Sequence, residues 1–243
     1  MSKHPTSPRH FGVDGCKGGW FYVCLGDSSI SHGFAPHIGA ILEQATAADH
    51  VFIDIPIGLL GAGPGARLCD VEARRLLGAR SSSVFNAPVR DVLDQQSYAE
   101  ANACSRELTG KGLSKQSWNI CAKIREVDSV LQKDTKARKI LREAHPELCF
   151  FGLSRGAPMQ HNKKTEDGFR ERLALLQRHW PAAGGFVAAA LASYPRARVA
   201  RDDILDAAVC ALTASMQQHW RGVPATAEYD ATGLAMQIMF CQP

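Results

Sequence analysis

Residues 51–55 read VFIDI, an unbroken apolar run carrying one aspartate, Asp54, and stopped at once by Pro56. A run this apolar suits a strand covered on both faces, and a proline cannot continue the ladder. A carboxylate inside such a strand is costly to ionise unless it is paired or metal-bound. The chain therefore needs packed layers on both sides of a sheet, and Asp54 needs a neutralising partner.

Neighbouring segments supply the rest of that sheet. Residues 11–14 (FGVD) form a short apolar strand ending in Asp14. A Gly-rich turn leads from it to 20–25 (WFYVCL), β-branched and aromatic, in hairpin relation to the first strand. A weaker third strand falls at 29–34, and a helix at 37–48 is predicted from Ile38, Ile41, Leu42 and Ala45. From 57 to 115 the strand–helix rhythm breaks. A Gly/Pro loop, a helix at 67–77 stopped by Gly78 and the polar loop ARSSSVFNAPVR follow one another. Long irregular connections usually carry function. Residues 115–131 form an amphipathic helix on Trp118, Cys121, Ile124 and Leu131. The segment 139–145 (KILREAH) reads as a strand, with Pro146 opening the next helix. A polar loop at 154–168 and helices at 169–178 and 185–193 precede the strongest helix, 201–217, whose stripe is Leu205, Ala208, Val209, Leu212 and Met216. An edge strand at 232–240 can close the chain. The expected organisation is a flexible tail at 1–10 and a single domain at 11–243, with an insertion subdomain at about 57–115 after the fourth strand. The element order supports an α/β fold with a mixed sheet.

Composition excludes several classes. The 243 residues are 45% hydrophobic and 21% charged, which rules out disorder of the bulk chain. No apolar run approaches the roughly 20 residues that span a bilayer, and no apolar h-region follows the N-terminus. The eight Cys show no CxxC or zinc spacing and read as reduced core residues, so a cytoplasmic location is expected. A net charge of +4 says little about partners without its distribution.

Acids gather at strand ends. Asp14 ends the first strand, Asp54 sits in the buried one, and Glu143, His145 and Glu147 surround the end of the next; Asp202, Asp203 and Asp206 open the last helix. Ligands of open α/β sheets collect at the carboxyl ends of parallel strands, so these groups can converge there. On the helix Asp206 lies about 40° from Asp202 and about 60° from Asp203. Clustered acids repel and tend to stay protonated; Mg²⁺ or Mn²⁺ on hard oxygen ligands removes the conflict and suits phosphodiester cleavage. Plainer roles exist for each residue. Asp14 before Gly15 fits a turn, and Asp54 fits a partner for an arginine. Asp202 fits an N-cap with Asp203 on the helix dipole. Glu147 fits a helix start, and His145 a structural histidine or a proton relay.

The motifs GVDGCKGGW, IDIPIGL, RLCDVEARRLLGARSSSVFNAPVR, GLSKQSWNI, EAHPELCF, KKTEDGFRERLALL and DDILDAAVCALTA resemble, over about residues 11 to 240, the family known as domain of unknown function 429. The resemblance implies an RNase H-like fold, with three antiparallel strands then parallel strands flanked by helices, and a metal-dependent nuclease activity. DDILDAAVCAL is also similar to the closing helix of RuvC-type resolvases. On that likeness Asp14, Asp54, Asp203 and Asp206 take the catalytic and metal-binding places for Mg²⁺ or Mn²⁺, with Glu147 and His145 as further catalytic candidates without a secure counterpart. Arg67, Arg74, Arg80, Ser82 and Arg90 of the insertion look like a substrate surface. Lys115, Lys163, Lys164 and Arg172 add phosphate contacts to a nucleic acid or nucleotide. Two other readings share the fold: a nucleotide-binding phosphotransferase of the actin-like kinase type, and a non-catalytic RNase H-fold binding module. The first normally needs two such domains; the second would leave buried carboxylates without a reason.

Overall fold

The computed structural model describes residues 7–27 and 29–243; residues 1–6, most of the expected tail, lie outside it. The remainder of that tail belongs to the fold. Arg9 pairs with Asp49 at 2.8 Å, and His10 opens the first strand.

β1 (His10–Cys16) and β2 (Gly19–Leu25) form the hairpin, with Gly15 opposite Trp20. β3 (Ile30–Ala35) pairs antiparallel on the far side of β2. A short helix, α1 (Ile38–Leu42), leads to β4 (His50–Ile53), which lies parallel to β1. The insertion carries α2 (Leu68–Leu77), two 3₁₀ turns and α3 (Tyr98–Thr109). Then come α4 (Lys115–Lys133), α5 (Thr135–Ile140) and β5 (Leu141–Glu143), parallel to β4. The chain ends with α6 (Pro146–Leu153), α7 (Glu166–His179), α8 (Ala183–Ser193), α9 (Arg201–Ser215) and the strands β6 (Trp220–Tyr229) and β7 (Ala235–Cys241). The main sheet has the order β3-β2-β1-β4-β5. This is an α/β fold with a mixed five-stranded sheet, antiparallel on one side and parallel on the other, consistent with an RNase H-like arrangement.

Strand alternation sends residues to two cores. Phe11, Val13, Val51 and Ile53 pack with α1, α4 and α5, whereas Phe21, Val23 and Phe52 pack with α6, α8, α9 and β7. The second face is held mainly by α9, where every residue from Ile204 to Thr213 is buried. Burial of Leu205 or Val209 alone contributes about 1.5–3 kcal/mol. The helix lies directly on β1 because Gly12 has no side chain there. A Cβ on Gly12 would sit 2.0 Å from the Ala207 carbonyl oxygen and 2.1 Å from the Ala211 nitrogen.

Three elements differ from the sequence expectation. The segment read as a strand at 139–145 is helical to Ile140, because Asp134 caps α5 by accepting from the backbone of Lys136 and Ala137. Only three residues are left as strand. The expected insertion contains an unanticipated helix, α3, started by the Ser97–Glu100 capping box. The last strand does not edge the main sheet. It pairs with β6, which the sequence reading missed, in a separate two-stranded sheet.

Candidate active site

Three carboxylates from three elements meet at the carboxyl ends of β1 and β4. Asp14 follows Gly12 by two residues and so shares its sheet face, the face α9 covers. Asp54 lies one residue beyond β4, its backbone nitrogen donating to the Val13 carbonyl at 2.9 Å. Asp206 precedes Ala207, whose carbonyl rests on Gly12. The close approach of α9 to β1 therefore also brings Asp206 to Asp14.

These acids disfavour one another. Burial, then repulsion from Asp54, Asp206 and Asp203, raises the Asp14 carboxyl well above its ordinary range. Burial raises Asp54 as well, against attraction from His145 and Lys163. Asp206 is 1% exposed and is pushed up to about 6, by burial first and by Asp54 and Glu147 beyond that. Asp203 also reaches about 6 through burial, although the Ala200 N–H donates to it at 2.8 Å. That bond gives Asp203 a capping role at the edge of the group.

Lys163 forms an ion pair inside the cluster, and Lys123 stands near Asp14 and Asp203. Lys163 Nζ lies 2.5 Å from Asp206 Oδ2. Attraction to Asp206, and then to Asp14 and Asp54, raises the lysine far above its ordinary value. Among the described residues, no group of three or more His, Cys, Asp and Glu side chains is arranged to hold a metal ion as it stands. The donor chemistry nevertheless suits Mg²⁺ or Mn²⁺. The oxygens are hard carboxylate oxygens, and Asp206 Oδ1 is buried with no hydrogen-bond partner.

Asp14 and Asp54 line a cleft of about 480 Å³ that also takes in Arg80, Ser82, Phe85, Ile120, Lys123, His145, Glu147, Lys163 and Lys164; Asp206 lies behind it, reached through Lys163. The insertion supplies Arg80, Ser82 and Phe85. Arg80 Nε donates to the Met159 carbonyl at 2.7 Å, and its Nη2 has no partner. His145 Nε2 lies 3.3 Å from the Ser83 carbonyl. A carbonyl only accepts, so this contact assigns the proton to Nε2 and leaves Nδ1 as a base atom. Glu147 Oε1 accepts from Arg172 Nη2, and its Oε2 is unpartnered.

Several expected substrate contacts are structural instead. Arg67 is 3% exposed and donates to Glu143 at 2.8 Å, to Asp70 at 2.6 Å and to the carbonyls of Ile57 and Gly58. It binds two buried acids at the cleft wall and has no donor left for a phosphate. Arg172 is 1% exposed and binds Glu147 and the carbonyls of His161 and Gly168. Arg90 pairs with Asp128 at 2.7 Å and Asp230 at 2.5 Å. Arg74 donates to the Val84 carbonyl and to Asn86. Lys115 stands 5.9 Å over the Tyr98 ring. Arg74, Arg90 and Lys115 lie outside the cleft, whereas Arg80, Ser82, Lys163 and Lys164 line it. Sequence reasoning missed Lys123, which lines the cleft from α4 while lying 4.2 Å over Trp20. Its signal was a cation set directly beside the apolar stripe at Ile124.

A family model described as "Protein of unknown function (DUF429)" matches residues 12–229. No curated protein and no solved structure matches the chain.

Proposed function

The chain belongs to the DUF429 family, and we propose that its acidic cleft is the active site of a divalent-metal-dependent nuclease acting on a phosphodiester bond. The observation that carries this reading is that Asp14, Asp54 and Asp206 lie close enough to repel one another, with Asp206 Oδ1 buried and unpartnered. Asp14, Asp54 and Asp206 would hold Mg²⁺ or Mn²⁺, with Asp203 at the edge of the set. A divalent cation there supplies Lewis-acid polarisation of a phosphoryl oxygen and offsets the charge that develops on it.

The chain's own residues do the rest. Arg80, Ser82 and Lys164 line the cleft wall and would receive phosphate oxygens there. Phe85 and Ile120 offer apolar surface to a base or sugar. His145 lines the same cleft and would be its candidate proton carrier. The reading takes the partner to be a nucleic acid or nucleotide and the compartment to be the cytoplasm. Eight free thiols fit a reducing environment. No helix among the described residues is long and apolar enough to cross a membrane.

The test is Mn²⁺-dependent cleavage of single-stranded, duplex and branched nucleic acids by the purified protein, with Asp54→Asn and Asp206→Asn beside it. Cleavage lost in both variants supports the reading. Saturable ATP binding without cleavage would transfer the site to phosphotransfer. Intact nucleic-acid binding with no metal uptake would leave a non-catalytic module.

A further inference from the structure

Phe85 is an aromatic ring that the fold itself does not use. It is half-buried and lines the cleft. Among the described residues it joins neither of the two hydrophobic cores, although its neighbour Val84 is buried in one of them. The backbone that carries the ring is tied on both sides. Arg74 Nε donates to the Val84 carbonyl at 2.7 Å, and Arg74 Nη2 donates to Asn86 Oδ1 at 2.6 Å. Ser117 Oγ, on α4, donates to the Asn86 carbonyl at 3.2 Å. The Ala87 N–H donates to the buried Asp70 at 3.4 Å. A ring held in advance like this loses little further freedom when a ligand covers it, which favours binding.

The wall beside it comes from α4. Gln116, Ile120 and Lys123 fall at i, i+4 and i+7, one face of that helix, and all three line the cleft. The Ser117–Asn86 bond fixes the start of this helix to the residue next to Phe85. The neighbourhood of the ring therefore combines a π-face, an aliphatic side chain and the exposed amide of Gln116, which can both donate and accept. Arg80 and Ser82 precede Phe85 on the same segment, so one stretch of chain carries the candidate phosphate donors and the ring.

Resting on the nuclease reading, which it narrows, we propose that Phe85 is the stacking platform for an unpaired base, with Ile120 beside the ring and Gln116 at the base edge, so that the cleft takes a single strand and not a duplex. Inside a duplex both faces of a base are covered by its neighbours, and a ring can stack only on a base that has left them. The cleft, about 480 Å³, is on the scale of a small-molecule pocket, which suits one nucleotide at a time. Stacking tolerates any base, so single strands of DNA and RNA share the site.

The experiment is fluorescence anisotropy of the full chain with labelled single-stranded DNA, single-stranded RNA and a blunt DNA duplex of the same sequence, at fixed salt, in chelator and again in Ca²⁺. A 2-aminopurine base in the single strand reports stacking through its quenching. Both single strands should bind about tenfold tighter than the duplex or more. Phe85→Ala and Phe85→Leu should each weaken single-strand binding about fivefold to a hundredfold and relieve the quenching. Their salt dependence should stay that of the wild type, because the lost contact carries no charge. Phe85→Trp keeps the π-face and should bind as the wild type does. Phe85→Leu should melt with the wild type, since the ring belongs to neither core. Unchanged affinity in both truncated variants, or a duplex bound as tightly as the single strands, overturns the base slot and leaves the nuclease reading to its own cleavage assay. Strand binding that depends on Phe85, without Mn²⁺-dependent cleavage, upholds the slot and removes the nuclease. No binding of any nucleic acid in either buffer overturns both.

Discussion

Asp206→Asn should remove most of one specific pH dependence from the stability of the metal-free protein. In the folded state the Asp206 carboxyl titrates at about 6, against 3.8 for the unperturbed group. The folded state therefore holds the proton longer than the unfolded state. Folding takes up a proton between those values, and stability falls as pH rises through the window. The penalty is absent below the unfolded value and complete above about pH 6. At roughly 1.4 kcal/mol for each tenfold change in proton affinity, it reaches about 3 kcal/mol. No solvent discount applies, because Asp206 is 1% exposed. Asparagine is close in shape and never ionises, so its stability relative to the wild type should rise by that amount from about pH 4 to about pH 7. Urea unfolding in chelator across this range measures the difference; titrating groups away from the cleft cancel between the two proteins, while Asp14, Asp203 and Lys163 shift with the charge removed. A wild-type-minus-variant difference that stays flat with pH would refute the account of a desolvated carboxylate among like charges.

Other substitutions test the supports around it. Arg172→Leu leaves the buried Glu147 carboxylate without its partner and should cost about 3–5 kcal/mol in urea unfolding; a loss under ~1 kcal/mol would show that the pair does not support the fold. Gly12→Ala should destabilise by at least the ~1–3 kcal/mol usual for overpacking, read as a lower melting temperature, because its Cβ has nowhere to go between β1 and α9. Arg80→Ala should raise KM about fivefold to tenfold for a cleaved substrate, with a loss of stability of about 1 kcal/mol from its one hydrogen bond, Nε to the Met159 carbonyl. An unchanged KM would remove Arg80 from the phosphate path.

The parts of the fold that could be read from the chain were those with strong local patterning. The FGVD and WFYVCL runs, the apolar VFIDI strand and the stripe of α9 all appear where periodicity placed them. Asp14, Asp54 and Asp206 follow from the same patterns, since each sits at a known offset on one of those elements. What escaped was non-local. Arg67 finds Glu143 at a separation of 76 residues, and Arg172 finds Glu147 at 25. A sequence shows five arginines near a loop, not which of them are consumed by buried acids. β6 escaped because only two of its residues are buried and Gly222 and Pro224 break its apolar pattern. The α3 start was visible as Ser97 followed three residues later by Glu100, a capping signal overlooked inside a polar stretch.

The contact at Gly12 couples two properties that most domains can adjust separately. A slip of α9 by one residue along its axis, about 1.5 Å, would drive a carbonyl into β1 and carry Asp206 away from Asp14 at the same time. On the metal-dependent reading proposed above, variants in the hydrophobic interior that shift this helix even slightly should be detectable as altered manganese affinity. Ion uptake would then serve as a ruler for packing at the centre of the molecule.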